Sequence, residues 1–241
     1  MTLSNRTKIS LRQLLCIIDK GVVDDILKKY NITNINNMGG DITDFIQEIV
    51  ETKNSLRNYK KSTIALSPAE TFKERWRDFE KCLFLDGYKI ETQDDKTEII
   101  PIEPQIDGFI AFEDELTKAI NMSNLSQKDE INRYIEESAE AFKDNDFTSC
   151  LCKARIALET LIKAIASEKY NTDETWGGAL KTLQEKGFLD KDEEAFMATT
   201  YTLISDGAHK PLGFDNSEYA RFCRNQAIRN AIILSKNIIS N

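Results

Sequence analysis

The stretch FTSCLCKARIALETLIKAI, residues 147–165, decides the fold of the second half of this 241-residue chain. Its apolar side chains recur at every third or fourth position, which places them along one face of an α-helix. These residues are Phe147, Leu151, Ala154, Leu158, Leu161 and Ile165. This is the strongest periodic signal in the chain, and a helix with such a face is expected to pack against neighbouring elements.

Segments on both sides of this stretch also follow helical spacing. The predicted buried faces are Ile131, Ile135, Ser138 and Phe142 before it, and Ile228, Ile232 and Ile239 in the last helix. Further helices are predicted within 107–123, 177–187 and 193–205, with the last helix beginning near 215 or 217. The second half of the chain is therefore predicted to be an all-helical bundle.

The first half predicts shorter helices followed by a β-hairpin. Ser10 is expected to cap a helix over 11–21, and a second short helix over 22–30 follows it. A polar loop is predicted at 31–41, and the next helix covers 42–59. A capping box of Ser67 and Glu70 starts a helix with an apolar stripe. The members of this stripe are Phe72, Trp76, Phe79, Leu83 and Phe84.

Residues 88–104 predict two short strands around the turn QDDK, and Pro104 ends the segment. The fold class is therefore mainly α, with a small helical domain at 1–104 that ends in a β-hairpin and a helical bundle at 105–241. A helix followed by a hairpin also ends a winged-helix unit. That alternative stays open, although the acidic turn and the preceding loops fit it poorly.

Composition narrows the classes of function. Hydrophobic residues make up 41% of the chain, enough for a packed core, and the net charge of −8 disfavours a wholly basic nucleic-acid binder but not a local basic face. Five unevenly spaced cysteines and one histidine argue against a zinc site and favour reduced thiols. The sequence shows no phosphate-binding loop, signal core or long apolar run, so we expect a cytoplasmic protein without a cofactor or a membrane partner.

The one histidine, His209, follows the helix that ends in Ser205-Asp206-Gly207. Gly207 is predicted to end that helix in the left-handed conformation, and Pro211 keeps the helix from resuming at once. His209 would then lie on a short constrained loop between two long helices. An imidazole there could act as a general acid or base, or could hold the loop through a hydrogen bond.

Two passages of the second half resemble the HEPN superfamily, specifically its abortive-infection type C-terminal domains. One is CKARIALETLIKAI, Cys152–Ile165, and the other is the helix-to-loop passage ending in Gly207-Ala208-His209 before a long last helix. The resemblance covers about the last 115 residues. It implies an HEPN-like helical bundle in a phage-defence protein that binds RNA or a nucleotide. It also implies a homodimer, because such domains often build their site across a dimer axis.

Many members of that superfamily are metal-independent RNases in which four to six residues separate an arginine from a histidine. His209 matches the histidine, which would be the acid or base for attack by a 2′-hydroxyl. The arginine is missing, because the matching positions are Thr202, Leu203 and Ile204. Arg155 could replace it from a neighbouring helix, or an arginine could come from a second subunit; alternatively, Arg155 pairs with Glu159.

Three arginines of the last helix, Arg221, Arg224 and Arg229, form a predicted basic cluster. The cluster would bind nucleic acid or phosphate, or would simply be a solvated face. The acidic segments FEDEL, 112–116, and DKDEEAF, 190–196, are predicted to be solvated helix starts.

Two hypotheses follow from these residues. In the first, the bundle binds RNA or nucleotide, uses His209 to cleave RNA, and the first domain senses or recruits. In the second, the bundle is a non-catalytic dimeric interaction module, His209 is structural, and the first domain binds a protein partner.

Overall fold

The computed structural model describes residues 3–18, 20–29, 69–93, 96–102, 111–209 and 215–240. Helices dominate it, and the chain divides into two compact units, Met1–Ala111 and Phe112–Asn241. The predicted division after residue 104 falls in 103–110, outside the described residues. The loop and helix predicted at 31–59, the Ser67 cap and the turn at Pro211 also lie outside them.

The first unit contains three described helices and a hairpin: α1 Asn5–Leu15, α2 Lys20–Lys29, α3 Ala69–Leu85, β1 Tyr88–Gln93 and β2 Lys96–Pro101. Helix α1 packs on α3 around a core of Leu11, Leu14, Trp76, Phe79 and Leu83, all of them buried. These contacts confirm most of the stripe predicted for α3, although Phe72 and Phe84 are only half-buried.

Ser4, rather than Ser10, caps the first helix, so that prediction is wrong. The Ser4 hydroxyl accepts a hydrogen bond from Thr7 N at 3.2 Å, as a helix start requires. Ser10 lies inside α1, where its hydroxyl donates to the Asp78 carboxylate of α3. A cap and a helix-to-helix hydrogen bond are both typical uses of serine, and the sequence alone did not distinguish them.

The hairpin is confirmed as an antiparallel pair of strands. Tyr88 lies opposite Pro101 and Gln93 lies opposite Lys96. Gly87, with a φ of 88°, provides the left-handed turn between α3 and β1. The winged-helix alternative also depends on the loops that precede α3, and the polar loop predicted at 31–41 lies outside the described residues.

The second unit is a bundle of six described helices. They are α4 Phe112–Met122, α5 Lys128–Lys143, α6 Phe147–Tyr170, α7 Trp176–Glu185, α8 Lys191–Ala208 and α9 Ser217–Ser240. Helix α6 contacts α5, α7, α8 and α9, and α9 also contacts α4, α5 and α8. The two longest helices therefore form the centre of this unit. No helix in the described ranges could cross a membrane, since none is both long and apolar enough.

Local signals fix both ends of α6. The Asp146 carboxylate accepts from Ser149 N at 3.0 Å at its start, and Asn171 ends it in the left-handed conformation with a φ of 54°. Every residue predicted for its apolar face is buried, as are those predicted for α5. Helix α9 departs from its prediction at Ile239, which is 45% exposed.

Helix α8 begins at Lys191, inside the predicted helix start at 190–196, and ends later than predicted, at Ala208. Asp190 and Glu193 form a capping box at its start. Gly207 lies inside the helix rather than ending it, so the prediction of a left-handed Gly207 is wrong. A Cβ at this position would overlap Leu151 Cδ1 of α6 and lie 3.1 Å from Tyr219 Cε1 of α9. This glycine therefore permits close packing of three helices.

Candidate functional site

His209 lies at the C-terminal end of α8. Its backbone N–H donates to Ser205 O at 3.1 Å, in the last turn of the helix, and its side chain is exposed. Residues 210–214, which follow, are outside the described part of the chain. The imidazole is therefore open to solvent at the end of a well-formed helix.

The three residues that replace the motif arginine have structural contacts of their own. Ile204 is fully buried. Leu203 O accepts a hydrogen bond from the Tyr219 hydroxyl of α9 at 3.1 Å. Thr202 donates back to Ala198 O at 3.0 Å. This turn of α8 serves packing and helix-to-helix hydrogen bonding.

Arg155 of α6 lies beside an aromatic pair on α7 and α8. Its Cζ is 5.9 Å from the ring centre of Tyr201. Trp176 stacks on the same tyrosine, with 4.1 Å between ring centres and 15° between the ring planes. The Tyr201 hydroxyl donates to Glu159 Oε2 at 3.2 Å, and Lys163 Nζ lies 3.7 Å from Glu159 Oε1. We call Arg155, Glu159, Lys163, Trp176 and Tyr201 the Arg155 cluster.

The members of the Arg155 cluster are all partly exposed. Burial raises the pKa of the Tyr201 hydroxyl, and the negative charge of Glu159 adds to the rise. The phenol is therefore a hydrogen-bond donor at neutral pH. The predicted pairing of Glu159 with Arg155 is replaced by contacts of Glu159 with Tyr201 and Lys163.

Arg155 and His209 lie at different levels along α8. Arg155 lies at the level of Tyr201, and the helical rise from residue 201 to residue 209 is ~12 Å along the axis of α8. Two groups must reach one phosphate in order to act on it together. A composite site of Arg155 and His209 within one chain would therefore require the two side chains to reach across this rise.

Arg224 of α9 lies in a buried polar network. It is 1% exposed, and its NH2 group lies 2.5 Å from Glu113 Oε1 of α4 and donates to Ile135 O of α5 at 3.3 Å. Its Nε donates to the Ser138 hydroxyl at 3.1 Å, and that hydroxyl donates to Cys150 O of α6 at 2.8 Å. We call Glu113, Ile135, Ser138, Cys150 and Arg224 the Arg224 cluster.

The Arg224 cluster joins four helices, α4, α5, α6 and α9, through one guanidinium. Burial raises the pKa of the Cys150 thiol although the positive charge of Arg224 opposes the rise. A buried charge that is paired and hydrogen-bonded in this way is typical of a structural role.

The predicted basic cluster of α9 is not one exposed face. Arg221 is 5% exposed and Arg224 is 1% exposed. Arg229 is half-buried, with its Cζ 4.4 Å above the ring centre of Phe112. Helix α4 therefore covers part of this surface, and Glu113 is not the solvated helix-start residue that the sequence predicted.

Tyr219, which is half-buried, and Cys223, which is buried, form a second pair on α9. Burial raises the pKa of the Tyr219 hydroxyl to about 12, helped by its hydrogen bond with Cys223. Burial also raises the pKa of the Cys223 thiol to about 11. Neither group is poised to lose a proton near neutral pH, so neither fits a catalytic base or a reactive thiol.

Comparison of the chain with protein-family models, with curated proteins and with solved structures finds no match. The arrangement of residues within this chain is therefore the evidence on function. Sequence reasoning missed Trp176, Tyr201 and Glu113. Tyr201 and its partner Glu159 are 42 positions apart in the sequence, and Glu113 and its partner Arg224 are 111 positions apart. A pattern within a few residues cannot indicate contacts over such separations.

Proposed function

We propose that the second unit binds RNA or a nucleotide without cleaving it, in a phage-defence protein of the abortive-infection type. The observation that carries the proposal is the placement of Arg155, which lies beside Tyr201 rather than beside His209. The defence role and the HEPN-like character of the bundle come from the resemblance of Cys152–Ile165 and of the passage ending in His209. The first unit would sense or recruit.

Metal-independent cleavage of RNA requires a positive group and an acid or base at the same phosphate. The positive group stabilises the charge that develops on the phosphoryl oxygens, and the imidazole moves the proton of the 2′-hydroxyl. In this chain Arg224 is held by Glu113 in the core and Arg155 lies two helical turns from His209. These placements favour binding over catalysis.

The Arg155 cluster supports the binding half of the proposal. It combines a guanidinium, a lysine and two stacked aromatic rings on a partly exposed surface. Cations attract phosphate, and aromatic rings stack on bases, so this is a composition that suits single-stranded nucleic acid or a nucleotide.

The test incubates the purified protein with a labelled single-stranded RNA in the presence of EDTA. Fluorescence anisotropy measures binding, and a denaturing gel measures cleavage. We expect bound, intact RNA for wild type and for His209→Ala alike, with circular dichroism used to match their folding. Cleavage by wild type that His209→Ala abolishes would establish the nuclease hypothesis instead. RNA that is neither bound nor cut would overturn the proposal.

A second candidate function is that of a dimeric interaction module. Two exposed apolar side chains of α9 favour it: Phe222 is 48% exposed and Ile233 is 37% exposed. Gln226 and Arg229 lie between them at helical spacing, so these four residues share one stripe. A second copy of the chain would cover this stripe.

Analytical ultracentrifugation at micromolar concentrations distinguishes this candidate. A dimer that becomes monomeric in Phe222→Glu, and stays dimeric in Phe196→Glu on α8, would support the module. Phe196 is a matched control because it is an equally exposed phenylalanine, at 48%. A wild-type monomer would remove the candidate.

A further inference from the structure

We infer that the Arg155 cluster is a nucleotide-binding site, in which a nucleobase stacks on the Trp176 indole and its phosphate pairs with the Arg155 guanidinium. The inference rests on the proposed function, because it names the place where the RNA or nucleotide binds. It moves the ligand away from His209 and away from the arginines of α9.

The aromatic pair provides a rigid stacking surface. Tyr201 lies parallel to Trp176 at 4.1 Å, so one face of the indole is already supported. Trp176 remains partly exposed, and Gly177 beside it is exposed, with open space where a side chain would begin. An aromatic ring held in place from one side loses little conformational freedom when a base stacks on it.

Arg155 provides a donor that lacks an acceptor. Its Nε is shielded from solvent and has no hydrogen-bond partner among the described residues. A buried donor without an acceptor is unfavourable. A small movement of the Arg155 side chain that brings this donor to a phosphate oxygen would satisfy it through a charge-assisted hydrogen bond. Asn230 of α9 also has side-chain atoms without a partner among the described residues, but it is fully buried, whereas Arg155 lies at a partly exposed surface beside two aromatic rings. The unpaired donor of Arg155 is therefore the one that points to a ligand.

The charges of the cluster also favour an anion. Arg155 and Lys163 are positive and Glu159 is the negative member, so the cluster has a surplus of positive charge in a chain with a net charge of −8. Glu159 is held by the Tyr201 hydroxyl and by Lys163. Glu159 therefore pairs with Lys163, and the Arg155 guanidinium is the cation of the cluster without an ion pair to Glu159.

A purely structural role for the same residues predicts different behaviour. Trp176 and Tyr201 also join α7 to α8, so removing the stack could destabilise the bundle without any ligand. A ligand site requires, in addition, that binding changes the environment of Trp176. The experiment therefore measures a signal from this residue.

The chain has two tryptophans, which makes intrinsic fluorescence a direct probe. Trp76 is 4% exposed in the first unit, whereas Trp176 is partly exposed. AMP and a ten-nucleotide oligoadenylate are titrated separately, so that a free nucleotide and a polymer are distinguished. We expect saturable quenching with at least one of them, and loss of that quenching in Trp176→Leu.

Affinity is measured with fluorescently labelled forms of the same two probes. Trp176→Leu is expected to weaken binding about tenfold, which corresponds to the loss of one base–aromatic stack. Arg155→Gln is expected to weaken it about tenfold and to reduce its dependence on salt, because one phosphate contact is lost. Phe196→Leu, at an exposed position about 140° around α8 from Tyr201, should bind like wild type.

The outcomes separate the inference from the proposed function. If wild type binds a probe but Trp176→Leu and Arg155→Gln bind it equally well, the site is wrong and the proposed function stands. If wild type binds neither probe, both are overturned. If Trp176→Leu does not fold, the affinity of Arg155→Gln still tests whether the Arg155 cluster is the binding site, because this variant leaves the aromatic stack in place.

Discussion

The Arg224 cluster and the Arg155 cluster lie in the same helical unit and use the same residue type for opposite purposes. Arg224 is 1% exposed, and its NH2 and Nε groups contact Glu113, Ile135 O and Ser138. Arg155 is partly exposed, lies against an aromatic ring and keeps one donor without an acceptor. One arginine is held by several partners in the core, and the other lies at a partly exposed surface with one unpaired donor.

This difference shows what a basic residue in a sequence can and cannot indicate. An arginine is functional only if its donors can reach a ligand, and that depends on the acceptors that tertiary packing brings to it. The acceptors of Arg224 come from α4 and α5, whereas Arg155 faces Tyr201 of α8.

The largest effect is expected when the buried ion pair is broken. Glu113→Ala leaves the Arg224 guanidinium buried without a counter-charge, which should lower the free energy of unfolding by about 3–5 kcal/mol. Urea denaturation followed by circular dichroism measures it. Glu115→Ala is the matched control on the same helix, because Glu115 pairs with the exposed Lys236 and should cost about 1 kcal/mol or less. Equal losses for the two variants would show that the Arg224 cluster is not a special part of the core.

A smaller loss of stability is expected when a methyl group is added at Gly207, where α8 packs closely on α6 and α9. Gly207→Ala places a Cβ against Leu151 and Tyr219, and overpacking of this kind should lower the free energy of unfolding by about 1–3 kcal/mol. Gly177→Ala next to Trp176 meets open space and should raise it by about 0.4–1 kcal/mol. Gly207 lies in a tightly packed environment and Gly177 in an open one, so the two substitutions should change stability in opposite directions. Destabilisation by both would mean that the surface beside Trp176 is more crowded than the structure shows.

The free energy of unfolding should depend on pH because of Tyr219 and Cys223 of α9. Tyr219 and Cys223 have pKa values raised to about 12 and about 11 from 10.0 and 9.0. The folded state keeps these protons at a pH where the unfolded chain has released them, so the stabilisation is complete below about pH 9 and is lost as the pH rises toward 12. Urea midpoints between pH 8 and pH 11 measure it. Tyr219→Phe should lose less stability than wild type over this range; an identical decline would contradict the assignment.

The smallest effect is expected at Arg155. Arg155→Gln removes a partly exposed cation without leaving a buried charge unpaired, so the free energy of unfolding should fall by less than about 1 kcal/mol. Urea denaturation at neutral pH measures this change beside that of Glu113→Ala. A loss as large as that of Glu113→Ala would make Arg155 a structural residue, and the difference between the two clusters would disappear.

Much of this fold follows from local pattern. The apolar faces of α5 and α6 are buried as predicted, because a long helix with one such face has few ways to pack. The capping box at Asp190 and the hairpin also follow from short-range chemistry. These signals act within a few residues, so a single sequence contains them.

The remaining features depend on contacts between distant segments. Gly207 resembles a helix end in sequence, but close packing against Leu151 and Tyr219 accounts for the glycine. Ser10 resembles a cap, but Asp78 of α3 binds its hydroxyl. The approach of Glu113 to Arg224 and that of Trp176 to Tyr201 have no local signature. The candidate site could therefore not be located from the sequence.

The ion pair between Glu113 and Arg224 has a consequence for the order of folding. Its two residues are 111 positions apart, whereas α5 and α6 are neighbours along the chain and pack on each other. Local helix pairs form early, and contacts across long loops form late. We expect Glu113→Ala to accelerate unfolding in stopped-flow experiments and to leave the folding rate nearly unchanged. Docking of α4 would then be the step that makes the native bundle slow to open.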